Sequence, residues 1–131
     1  MSIGYGGTCI KEVETDTEVY FRYSVYNGND NSVDEYIEDG IIYIKKVNLA
    51  KAVYREKIKK IKGKKHTIIK CIEQPNDWNR LLKSGDIQVI NNSQMFICID
   101  GIDGIAIRLI ANILDDFQHK DYAENSYSVY W

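Results

Sequence analysis

The sequence predicts an α+β fold: a largely antiparallel sheet of about five to seven strands, with a long buried C-terminal helix and two shorter helices. Three observations predict it. In TEVYFRYSVY (17–26), Val19, Phe21, Tyr23 and Val25 alternate with Tyr20, Arg22, Ser24 and Tyr26, the period of two of a strand with one buried face. In the helix predicted over 103–117, the residues after Asp103 are apolar except for Arg108, Asn112, Asp115 and Asp116, whose spacing makes one narrow polar stripe. Short turn signals separate extended runs, which favours hairpins over βαβ crossovers.

The elements follow in order. After the strand at 17–26, NGNDNS is a loop, and Val33, Glu35 and Ile37 suggest a second strand. Asp39-Gly40 before IIYIKK is a type I′ hairpin signal, because both central residues take positive φ. Asn48 can cap a helix over LAKAVYREKIKKIK, with Ala50, Tyr54, Ile58 and Ile61 on one face and Gly63 just past its end. Thr67–Ile72 is apolar and β-branched, a central strand. Pro75 and Asn76 open a short helix that places Trp78, Leu81 and Leu82 together and stops at Gly85. DIQVI and QMFICI flank Asn91-Asn92-Ser93, a second hairpin. The tail NSYSVYW sets Tyr127, Val129 and Trp131 against Ser126, Ser128 and Tyr130, an edge strand.

At 131 residues, one domain spanning 1–131 is expected, long enough to bury a core without metal or disulfide staples. The first residues have no basic segment followed by an apolar stretch, so a secretory signal is not expected. The most apolar window, Ile105 to Leu114, contains Arg108 and Asn112 and falls short of the roughly 20 apolar residues of a membrane span. Cys9, Cys71 and Cys98 are odd in number, far apart and outside any CxxC or Cys/His cluster, which fits a reducing cytoplasm.

Charge is segregated along the chain. Residues 1–44 carry two basic and nine acidic side chains, residues 45–70 eleven basic and one acidic, and residues 71–131 four basic and nine acidic. A net charge of −2 therefore hides a cationic segment centred on Lys57, Lys59, Lys60, Lys62, Lys64 and Lys65. Such a segment suits an anionic partner, either the acidic face of a protein or nucleic acid. Against nucleic acid, the segment has a single arginine, Arg55, and a single aromatic, Tyr54. Its structural alternative is a solvated helix face neutralised by the chain's own acidic segments.

Motifs that carry chemistry are weak. Cys71 and His66 are five residues apart on one predicted strand, hence on opposite faces. Cys98 follows Phe96 at strand spacing and reads as a core thiol; Cys9, after GYGGT, reads as part of a flexible, exposed segment that could pair spatially with either histidine. GYGG lacks the strand, glycine turn and helix order of a phosphate loop. Asp100 and Asp103, beside Gly101 and Gly104, read as turn and N-cap residues, with a divalent cation as the weaker alternative. No cofactor is expected.

These features predict a small cytosolic protein-binding domain without catalytic activity. Tyr20, Arg22 and Tyr26 would anchor the partner from one strand face, unless a helix covers it, together with the lysines of the basic segment. A bacterial immunity protein that neutralises a toxin is the concrete form of that expectation. Nucleic-acid binding through residues 45–70 is the alternative. An enzyme built on a Cys/His pair or on Asp100 and Asp103 is the third.

Overall fold

The computed structural model describes residues 5–27, 36–74 and 76–130. A mostly antiparallel arrangement of sheets is combined with two helices, one fewer than expected. The main sheet has five strands in the order β6-β3-β2-β1-β9: β1 Tyr5–Glu14, β2 Glu18–Asn27, β3 Gly40–Lys45, β6 Ile87–Ile90 and β9 Ser126–Tyr130. All four pairings are antiparallel.

The predicted alternation of β2 is realised: Val19, Phe21, Tyr23 and Val25 are buried, and Tyr20 and Arg22 face out. Helix α2, Gly104–His119, lies across the buried face and contributes Ile105, Leu109, Ile110, Ile113 and Phe117 to the core. Its polar stripe of Arg108, Asn112 and Asp115 is exposed, as the spacing requires. Helix α1, Trp78–Ser84, adds Leu81. Asp77 caps α1 by accepting from the Asn79 and Arg80 amides, and Gly85 ends it at φ 84°.

β1 replaces the flexible segment expected around GYGGT, and Cys9 is correspondingly buried. Its glycines are packing residues: a Cβ on Gly7 would sit 2.3 Å from Ile105 Cγ2, so α2 can approach the sheet only there. Gly40 likewise belongs to a strand and not to a turn. It pairs with Tyr23, whose ring lies 2.2 Å from where a Gly40 Cβ would be. Of the strand expected around Val33, Glu35 and Ile37, residues 33–35 lie outside the described residues and Ile37 is not in a strand.

The helix expected over 49–62 is instead one leg of a hairpin. β4, Val53–Ile61, pairs antiparallel with β5, Lys64–Ile72, as a separate two-stranded sheet. Lys62 (φ 52°) and Gly63 (φ 77°) form the two-residue turn, the positive-φ pair that matches strand twist. Thr67–Ile72 is therefore an exposed strand and not a central one. The second expected hairpin is also replaced. Asn92 is buried and its amide donates to the carbonyls of Tyr23 (3.0 Å) and Ile37 (2.7 Å), which ends β6; the chain turns at Ser93–Gln94, but 95–97 form no strand paired with β6. A small ladder of β7 (Cys98–Ile99) and β8 (Ile102–Asp103) turns through Asp100 (φ 52°) and Gly101 (φ 83°). Cys98 is exposed there, contrary to the core position expected of it.

Candidate interaction surfaces

The five-stranded sheet buries one face only. Register places Tyr20 and Arg22 of β2, Ile41 and Tyr43 of β3, Gln88 and Ile90 of β6, Ile10 of β1 and Tyr130 of β9 on the other. Among the described residues no helix or further sheet covers this face, and only Tyr36 and Glu38 of the segment before β3 lie against it: Tyr130 is 72% and Ile90 60% exposed. Tyr20 and Tyr43 are cross-strand partners with ring centroids 4.8 Å apart, and Tyr43 donates to Glu18 Oε2 at 3.0 Å. With Ile41, Gln88 and Ile90 they line a shallow groove of about 360 Å³. Tyr26 packs edge-on against Tyr36 (6.0 Å) and Tyr130 (6.4 Å). Arg22 is held by Glu12 and faces Glu38 at 4.0 Å; a bulge between Lys11 and Val13 puts Glu12 in place. Tyr20, Arg22 and Tyr26 thus share one uncovered face, and no helix lies over it among the described residues. Tyr43, Ile41, Ile90 and Tyr130 join them through register, which no local pattern states.

The second surface is the β4–β5 hairpin. Every residue of β4 and all of β5 but Ile72 is exposed. Of the residues singled out, Lys57, Lys59, Lys60, Lys64 and Lys65 lie on its strands and Lys62 at its turn. Strand alternation separates its two faces. One carries Arg55, Lys57, Lys59, Lys64, His66 and Lys70 with Ile61 and Ile68; the other carries Tyr54, Ile58 and Ile69, which are 58%, 72% and 65% exposed, with Glu56, Lys60 and Lys65. Arg55 stands opposite Lys70, Lys60 opposite Lys65 and Lys59 opposite His66. Among the described residues no carboxylate forms an ion pair with a basic side chain of this hairpin.

The hairpin's root is anchored. Gln118, buried at the end of α2, accepts from the Gln74 amide at 2.9 Å and donates to the carbonyls of Gln74 and Ala50. The Ala52 amide donates to the Gln118 carbonyl at 3.0 Å. Asn76 accepts from the Ala50 amide at 2.8 Å. Tyr54 and His119 approach at 3.0 Å between hydroxyl and Nδ1, and His119 Nε2 lies 3.1 Å from Glu73.

The candidate chemical residues are dispersed. Cys9 is fully buried between β2 and β9, and burial pushes its thiol up to about 12, so it is neither exposed nor poised as a thiolate. Cys71 and His66 point to opposite faces of the hairpin. Asp103 is the buried N-cap of α2, accepting from the Ile105 amide at 3.0 Å and from the Tyr23 hydroxyl at 2.8 Å. Burial raises its pKa, with the Tyr23, Ile105 and Ala106 hydrogen bonds pulling the other way. Asp100 is the turn residue next to Gly101. Among the described residues no group of three or more His, Cys, Asp or Glu side chains could hold a metal ion, and no helix is long and apolar enough to cross a membrane.

No family model, curated protein or solved structure matches the chain.

Proposed function

We propose that this chain is a non-catalytic protein-binding domain of the cytoplasm that docks one partner on the open sheet face, as a bacterial immunity protein would close over a toxin domain. The observation that carries the reading is that face itself. Tyrosine offers large contact area with few torsions to freeze, and here four tyrosines stand among exposed isoleucines on a rigid sheet. Arg22, on the central strand and held by Glu12, adds a preorganised polar contact within the face. The cytoplasmic setting is supported by three free cysteines.

The test is capture of the product of the adjacent gene by tagged wild-type chain and by a Tyr20→Ala/Tyr43→Ala variant. The reading expects wild type to retain that protein and the variant to lose it while its unfolding midpoint stays within a few degrees. Equal capture by both chains, or capture by neither, contradicts it.

A further inference from the structure

We propose that the β4–β5 hairpin is a DNA-binding arm that lies in the major groove of a duplex and places its basic side chains against the phosphates. A two-stranded ribbon alone is marginal in water, and opposed like charges weaken it further. This one carries two such pairs, Arg55 with Lys70 and Lys60 with Lys65, and among the described residues no ion pair offsets them. The arrangement costs the free protein stability and is relieved by a polyanion.

Dimensions select the polyanion. Nine residues per strand give an arm of about 30 Å, and its two strands are about 4.8 Å apart, which with side chains fits a groove about 12 Å wide. Arg55, Lys57 and Lys59 are alternate residues of β4 on one face, so three cations recur at about 6.8 Å along the arm. The turn adds Lys62 beyond the strand ends, Lys64 opens β5, and Lys60 with Lys65 points to the opposite face. Cations on both faces and at the tip suit a ligand that surrounds the arm with phosphates. A flat acidic protein surface would engage one face only. Ile58, Ile69 and the Tyr54 ring on the second face suit the apolar floor of the groove, where thymine methyl groups lie. The remainder of the chain is strongly acidic and would be held away from the duplex.

This inference does not depend on the open sheet face. Its test is fluorescence anisotropy of a labelled DNA duplex of about 20 base pairs with the full chain, repeated from about 50 to about 200 mM salt. Binding at the lowest salt is expected, with log affinity falling linearly in log salt. About six phosphate contacts give roughly a thousandfold loss over that range. Lys57→Gln/Lys59→Gln should reduce the slope by about two, and Tyr20→Ala should leave it unchanged. Lys70→Glu, which sets a carboxylate opposite Arg55, should raise the unfolding midpoint while weakening binding. No binding at about 50 mM salt overturns the proposal, as does binding that the lysine variants leave intact. Displacement of the duplex by an equal charge of poly-L-glutamate or single-stranded RNA would also overturn it, since the arm would then read charge without groove shape.

Discussion

Gln118 pairs with Gln74 as a strand would: its side-chain carbonyl accepts from the Gln74 amide at 2.9 Å, and its amide nitrogen donates to the Gln74 carbonyl. The same nitrogen donates to Ala50 O at 3.0 Å, so one buried side chain closes both legs of the hairpin onto the end of α2. Gln118→Ala leaves the Gln74 amide and carbonyl without partners in a part-buried site, while Ala50 O keeps its bond from Asn76. It should destabilise the protein by about 2 kcal/mol in urea unfolding and speed hydrogen exchange at the Gln74 amide. Unchanged exchange at that amide would show that the root is held by other means.

Tyr23 joins three elements through one hydroxyl. It donates to Asp103 Oδ2 and accepts from the Asn92 amide at 2.9 Å, tying β2 to the α2 cap and to the segment after β6. Tyr23→Phe keeps the ring over Gly40 but strips partners from two buried groups. A loss of about 2–3 kcal/mol is expected by chemical denaturation.

Glu14 is the charge node beneath the other end of the sheet. Lys11 and Lys46 each donate to it at 2.8 Å, and the Ala123 amide donates at 2.9 Å. Burial pushes its pKa up, but the hydrogen bonds from Lys11, Lys46 and Ala123 outweigh that and hold it below its ordinary value of 4.5. A depressed folded-state pKa stabilises the fold above the unfolded value and ceases to do so as pH falls through the folded one. Wild type should therefore exceed Glu14→Gln in stability by about 1–2 kcal/mol at pH 7. The gap should close as the pH is lowered below 4.5. Denaturation of both proteins across pH measures it; a gap that persists at low pH would contradict this role.

The thiols should divide two to one. Cys71 and Cys98 are exposed and Cys9 is buried. Ellman's reagent should titrate two thiols in the native protein and the third only on unfolding; rapid native reaction of all three would place Cys9 elsewhere.

What the sequence made legible were elements whose burial is written in their own period. β2, α2, α1 and β9 each present one apolar face to the core, and Gly85 and Asp103 punctuate the helices with αL or side-chain caps, although α1 is capped by Asp77 and not opened by Asn76. The hairpin has no buried face, so no core imposes a strand period on it. Ala50, Tyr54, Ile58 and Ile61 fall at helical spacing, and lysine and glutamate tolerate helix well. The local sign that decided otherwise is Lys62-Gly63, a positive-φ pair between two extended runs. Gly40 and Gly7 look like turn and loop residues locally but are set by what packs on them, a tyrosine ring and a helix. Of the candidate surface, Tyr20, Arg22 and Tyr26 were legible from alternation. Tyr43, Ile90 and Tyr130 reach them through strand order, which is non-local.

The central claim is that the open sheet face is where a partner rests. Hydroxyl-radical footprinting of the chain, free and saturated with the captured partner, reads it most directly. The account predicts loss of labelling at Tyr20, Tyr43 and Tyr130 on binding, with Tyr122 on the loop beyond α2 unchanged. Undiminished labelling at those three tyrosines in the saturated complex would contradict it.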